Sequence, residues 1–110
     1  MTNLTNLRKD SDGFLLDPSD WCLPLAEMIA KEFDEELTKQ HWIVIYYIRE
    51  YFDIYQKVPE LRELLKTFKN KYGEANSTRK YIYKLFPYGY GQQACKIAGM
   101  RQPKKLWLDM

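Results

Sequence analysis

Thr38-Lys39-Gln40-His41-Trp42-Ile43-Val44-Ile45-Tyr46-Tyr47-Ile48-Arg49-Glu50-Tyr51-Phe52-Asp53-Ile54-Tyr55 carries the longest helical period in the sequence, and the neighbouring segments fall into place around it. Thr38 is the residue type that caps a helix start, because its hydroxyl can accept from an N–H in the first turn. After it, Trp42, Ile45, Tyr46, Ile48, Phe52 and Tyr55 recur at spacings of three and four, which predicts a central helix over about residues 39–56. Upstream, Asp17-Pro18-Ser19-Asp20 supplies cap residues before Trp21, Leu25, Met28 and Ile29, the apolar stripe of a helix running to about Phe33. Pro24 lies early enough to be tolerated in its first turn. Cys22, beside Trp21 on this helix, reads as a small packed hydrophobe.

Downstream, Val58-Pro59 breaks the central helix and Pro59 can open the next one in its first turn. There Leu61, Leu64, Leu65 and Phe68 form one stripe that ends at Tyr72-Gly73. Ser77 or Thr78 caps a fourth helix carrying Tyr81, Ile82, Leu85 and Phe86, closed by Pro87 and the turn Gly89-Tyr90-Gly91. Residues 92–98 form a last short helix that stops at Gly99. The first ten residues are polar and frayed, and Ser11-Asp12-Gly13-Phe14-Leu15-Leu16 reads as a turn leading into an extended stretch, with room for at most a small hairpin. Residues 100–110 hold Pro103 and the cations Arg101, Lys104 and Lys105 without a helical period, so they form an extended or mobile arm. The fold class is mainly α: a small orthogonal bundle of about five helices, with a minor N-terminal β element and a C-terminal arm.

A chain of 110 residues fits a single domain spanning residues 1–110. With 45% apolar and 29% charged residues, neither disorder nor a fibrous architecture is favoured. The longest uncharged apolar run, Trp42 to Ile48, is far short of the roughly 20 residues that span a bilayer, and Met1-Thr2-Asn3-Leu4 begins no secretory signal. A cytoplasmic protein with no membrane partner is expected. Two cysteines and one histidine provide neither a disulfide scaffold nor the C-x-x-C or H-E-x-x-H spacing of a metal site, and nothing in the sequence asks for a cofactor. His41, near the start of the central helix, reads as a capping or partly buried side chain rather than a general base.

The net charge of +2 conceals an asymmetry: residues 1–55 carry five Lys/Arg and eleven Asp/Glu, net −6, whereas residues 56–110 carry twelve and four, net +8. Either the two halves neutralise each other across the fold, or the basic half docks an acidic protein face or a phosphate backbone. The short, closely connected second to fourth helices, flanked by Lys and Arg, also have a helix-turn-helix look, but without a pattern of base-reading side chains. Cys95 is better placed for chemistry than Cys22. A thiol reacts as its thiolate, which nearby cations favour, and Cys95 is followed by Lys96, Arg101, Lys104 and Lys105. An accessible, reactive Cys95 is the expectation, with a packed cysteine as the alternative.

The run Tyr81-Ile82-Tyr83-Lys84-Leu85-Phe86-Pro87-Tyr88-Gly89, followed by Gln93-Ala94-Cys95-Lys96-Ile97-Ala98-Gly99, resembles the C-terminal signature of the DsrC/TusE family of sulfur-relay proteins. Asp12-Gly13-Phe14-Leu15, Asp20-Trp21, Leu37-Thr38, His41-Trp42, Arg49-Glu50-Tyr51-Phe52 and Pro59 with Arg62 follow the same family's order and spacing, over roughly residues 11–105. The resemblance implies a helical bundle with a C-terminal arm. It also implies a sulfurtransferase-like carrier, rather than a turnover enzyme, that passes persulfide sulfur between protein partners. Members tied to dissimilatory sulfite reductase close a disulfide or trisulfide between an arm cysteine and the position matched by Cys95. TusE-type members, which serve tRNA thiolation, use the arm cysteine alone. This chain departs from that pattern: eleven residues past Cys95 stands Leu106, and no cysteine follows Cys95. Two readings follow. In the first, Cys95 alone exchanges persulfide sulfur, while Lys96, Arg101, Lys104, Lys105, Lys84 and Arg79 dock a sulfur-relay or sulfite-reductase-type partner. In the second, a non-catalytic regulatory relative binds such a protein, or nucleic acid, through its basic half.

Overall fold

The computed structural model describes residues 8–102. It is mainly helical: α1 (Leu23–Glu32), α2 (Lys39–Tyr55), α3 (Leu61–Tyr72), α4 (Arg79–Leu85) and α5 (Cys95–Ile97), the last preceded by a π-helical turn over Tyr90–Ala94. Among the described residues the β element is a single antiparallel bridge, Lys9 to Leu15. Residues 8–10, expected within the frayed terminus, are therefore engaged: Asp10 N–H donates to Phe14 O (2.8 Å) and Leu16 N–H to Arg8 O (3.2 Å). The Asp10 carboxylate closes this hairpin by accepting from the N–H groups of Asp12 and Phe14.

Helix α2 starts where the cap predicts. Thr38 is its N-cap, and the reciprocal partner three residues on is His41, whose Nδ1 accepts from the Thr38 N–H (3.1 Å). Its end is held without glycine: Gln56 adopts φ 55°, and its side-chain amide donates to Phe52 O and Asp53 O, both at 3.2 Å. The buried face comprises His41, Val44, Ile45 and Ile48, whereas Tyr46 and Tyr55, expected on it, are 45% and 58% exposed. His41 and Val44 take the core positions, and Tyr46 instead stacks on Trp42 along the outside of the helix, ring centroids 5.7 Å apart.

Two further boundaries differ from expectation because of cap chemistry. Cys22 is not on α1 but is its N-cap, in extended backbone, with Pro24 in the first turn. The buried face of α1 is Leu25, Ala26, Ile29 and Ala30, so Met28 is left exposed. Likewise Glu60 is the N-cap of α3, and Pro59 lies just outside it. Pro59 is buried instead as an anchor, its carbonyl accepting from the Tyr90 hydroxyl at 2.6 Å. Thr78 is the N-cap of α4, its hydroxyl accepting from Tyr81 N–H at 3.1 Å. Thr78→Ala is expected to lower stability by about 1 kcal/mol, the ordinary value of a side-chain cap, read from the midpoint of urea unfolding.

One core joins these elements. Leu15, Leu25, Ile29, Val44, Ile45, Ile48, Leu61, Leu64, Phe68, Ile82, Phe86 and Tyr90 pack together with Ala94, Cys95, Ile97, Ala98 and Met100. Burial of this apolar surface, rather than helix propensity, holds so short an element as α5 in place.

Candidate functional site

Cys95 opens α5 directly after the π-helical turn, and its N–H donates to Tyr90 O, five residues back. A turn of this kind arises where tertiary contacts override the ordinary i to i−4 ladder. Here the Tyr90 side chain is tethered to the start of α3 through Pro59 O. The last helix therefore begins at Tyr90 rather than at residue 92, and Gly89, at φ 106°, provides the entry.

The far end of α5 is a Schellman cap. Gly99 N–H donates to Lys96 O (3.1 Å) and Met100 N–H reaches back to Cys95 O (3.0 Å), with Gly99 at φ 78°. An apolar contact near these two positions frequently accompanies this motif. Met100 is buried, 0% exposed, as is Cys95, both in the shared core. Both expectations on this point need correction. The thiol is covered rather than accessible, and the arm does not begin loose at residue 100. Gln102 is tied down as well, donating from Nε2 to Asp12 Oδ2 at 2.8 Å. Residues 103–110, including Lys104, Lys105, Leu106, Trp107 and Leu108, lie outside the described residues.

Two side chains hold this cap: Trp21, expected on the apolar stripe of the first helix but lying before α1, and Arg49, with no role assigned from sequence. Trp21 Nε1 donates to Ile97 O (2.8 Å), and Arg49 Nη1 donates to Ala98 O (3.1 Å) and to Pro18 O (2.9 Å). The Arg49 guanidinium also lies 4.6 Å over the Trp21 ring. Together they satisfy carbonyls that a helix end leaves without intrahelical partners. Half-burial lowers the Arg49 pKa from its usual value, partly opposed by Asp53. The motifs Asp20-Trp21 and Arg49-Glu50-Tyr51-Phe52 were the signal for this clamp, although nothing local says that their partners are the carbonyls of α5.

The cations are dispersed. Lys96 points its ammonium between the rings of Phe14 (5.5 Å) and Phe33 (5.4 Å), 4.0 Å from Glu32 Oε2, and its side chain is 14% exposed. Arg79 and Lys84 are exposed on α4. Arg101 is exposed past the cap, near enough to Asp17 to add to the lowering of its carboxyl pKa, which is due first to hydrogen bonds from Ser19. Next to Cys95, Gln93 is fully buried; its Oε1 accepts from Tyr88 N–H (2.9 Å), while its Nε2 has no partner among the described residues.

His41 is a structural residue, as read from sequence. It is 5% exposed, with Nε2 2.5 Å from Glu35 Oε1 and 2.8 Å from Leu85 O. No helix among the described residues is long and apolar enough to cross a membrane.

Comparison with known proteins bears on the same segments. The chain is 40% identical over 99 residues to the sulfurtransferase TusE of Photorhabdus laumondii, covering 90% of this chain and 89% of that protein. The crystal structure of the oxidized gamma-subunit of the dissimilatory sulfite reductase, DsrC, from Archaeoglobus fulgidus superposes with a TM-score of 0.81 at 42% identity, covering 90% of each chain. The NMR structure of DsrC from Allochromatium vinosum superposes with a TM-score of 0.79 at 39% identity, covering 90% of this chain and 88% of that one. The family model described as "DsrC like protein" matches residues 1–106, a span that takes in the hairpin, the bundle, the Trp21–Arg49 clamp and Cys95, and the chain belongs to the DsrC-like family.

Proposed function

We propose that this chain serves sulfur metabolism as a sulfur-relay protein and that Cys95 is the residue on which the sulfur travels. One arrangement supports the reading. Cys95 stands at the root of the C-terminal segment, its N–H tied back to Tyr90 and its carbonyl forward to Met100, so the thiol lies at the junction of bundle and arm. In the exchange, the Cys95 thiolate attacks the outer sulfur of a donor persulfide. A bond forms from Cys95 to that sulfur, the donor's S–S bond breaks, and the donor leaves as a thiolate without net oxidation. The reverse of this step, with an acceptor thiolate attacking, passes the sulfur on. Because Leu106 occupies the position eleven residues past Cys95, the cycle runs on one thiol and needs no disulfide.

The partner is a protein of sulfur relay or sulfite reduction, the classes to which the relatives' names point, and the compartment is the cytoplasm. Arg79, Lys84 and Arg101, joined by Lys104 and Lys105, are the cations proposed to meet its acidic face. The part proposed for Lys96 is to hold the Cys95 helix, since its ammonium is already enclosed by Phe14, Phe33 and Glu32. No observation favours the nucleic-acid alternative.

Incubation with a small-molecule persulfide donor followed by intact-mass measurement tests the carrier. An adduct of one sulfur atom is expected on the wild type and on Cys22→Ala, and none on Cys95→Ala. An adduct that persists in Cys95→Ala would remove Cys95 from the reading.

A further inference from the structure

A thiol that exchanges sulfur must be reached, yet Cys95 is 0% exposed. We propose that Met100 is the gate over Cys95, and that Arg49, acting through Trp21 and the carbonyl of Ala98, is the positioning residue that keeps the gate shut. The inference rests on the reading of Cys95 as the sulfur-accepting thiol. It is carried by the construction of the cap.

Met100 is tied to the residue that bears the thiol by its own N–H, through the bond to Cys95 O, and both side chains are buried in the same core. Only a left-handed residue at position 99 makes that bond possible, and Gly99 has φ 78°. The two carbonyls between Cys95 and the gate, those of Ile97 and Ala98, are held from outside α5 by Trp21 and Arg49. Beyond the gate, the exposed Gln102–Asp12 bond fastens the segment to the hairpin. Cys95 and Met100 share the core with the helices, and the bonds that seat Met100 there come from this short stretch and from Trp21, Arg49 and Asp12. Breaking the Gln102 and Met100 bonds and lifting Met100 uncovers Cys95, while α1 to α4 and their shared core stay packed. A local opening of this kind costs less free energy than global unfolding, so it sets how often the thiol is reached.

A partner that engages the exposed Arg101 and displaces the Gln102–Asp12 bond would pull on the segment that begins at Met100, which couples docking to exposure of the thiol. Cys95 thus needs no arm thiol to visit it, because the partner's own sulfur enters where Met100 leaves.

The experiment measures native alkylation of both cysteines by site-resolved mass spectrometry, with Cys22 as the internal reference. In the wild type Cys95 is expected to react more slowly than Cys22. Met100→Ala is expected to raise the Cys95 rate about tenfold or more, through the loss of a buried side chain from the closed state only. Arg49→Met, which keeps the apolar stem but removes both donors, is expected to give an increase of about tenfold. Gln102→Ala is expected to give an increase of about two- to tenfold, without touching the core. Cys22 should change by less than about twofold throughout, because local opening does not expose it, whereas global unfolding would raise both rates together.

Arg49→Lys, which can restore only part of the two-carbonyl grip, should fall between the wild type and Arg49→Met. Equal acceleration of Cys22 and Cys95, or an unchanged Cys95 rate in both Met100→Ala and Gln102→Ala, overturns the gate. The same samples are exposed to a small-molecule persulfide donor. If Cys95 alkylates faster in the variants but takes no sulfur in any of them, the gate stands and the carrier reading fails. If it takes up sulfur at the same rate in all of them, the carrier stands and the gate fails.

Discussion

Gly99→Ala is expected to cost about 3 kcal/mol or more of folding stability and to lower the thermal midpoint by more than about 10 °C. Position 99 adopts φ 78°, where a Cβ clashes with the backbone at a cost of roughly 1–2 kcal/mol. There is also no room for the methyl group. A Cβ built there would stand 2.7 Å from both Cβ and Cγ of Trp21, and closer still to Cδ1. These atoms cannot yield, because Trp21 is bonded to Ile97 O through its indole and covered by the Arg49 guanidinium. Moving the ring would break the Trp21–Ile97 hydrogen bond, worth about 1 kcal/mol, and displacing the chain would break the Met100–Cys95 bond instead. Thermal and urea unfolding followed by circular dichroism measure the loss. A midpoint within a degree or two of wild type would mean that Trp21 is not the fixed wall described here.

The second large effect is expected at His41. His41→Leu should lose about 2–4 kcal/mol, because one imidazole satisfies groups from three segments. The Thr38 N–H, at the start of α2, donates to Nδ1, so the ring proton is on Nε2. That proton is shared between Glu35, in the loop after α1, and Leu85 O, at the end of α4. Phe86 packs on the ring, with centroids 5.1 Å apart at 82°. Leucine fills a similar volume but leaves the Thr38 N–H and Leu85 O without His41. Glu35, 20% exposed at its side chain, can rehydrate, so its share of the loss is small. His41→Gln separates the contributions. Glutamine at this position can restore the capping box to Thr38 but does not replace the bond to Leu85, so its loss should be intermediate. Urea midpoints for the three proteins decide it, and a leucine variant as stable as wild type would show that the polar network adds nothing net.

Both effects arise where the chain meets itself far from the mutated residue, and that separates what could be read from sequence from what could not. Helix α4 starts at Thr78 because its hydroxyl satisfies the N–H three residues on, and α2 starts at Thr38 through its capping box with His41. Helix α3 ends at Gly73 because glycine alone reaches φ 90° without strain. The helices, their order, the family and the presence of Leu106 eleven residues past Cys95 are all legible in the chain itself.

The rotation of each helix about its axis is not. Met28, Tyr46 and Tyr55 are exposed and His41 is buried because packing partners, not local hydrophobicity, select the buried face. The burial of Cys95 and Met100 is of the same kind. It depends on Trp21 meeting Ile97 across 76 residues and on Arg49 meeting Ala98 across 49, whereas caps and helical periods act over three or four. Sequence alone therefore determined which thiol stands ahead of the C-terminal segment, and tertiary structure decided that this thiol is buried, because only the folded chain packs α5 into the shared core and brings the indole and guanidinium onto its carbonyls.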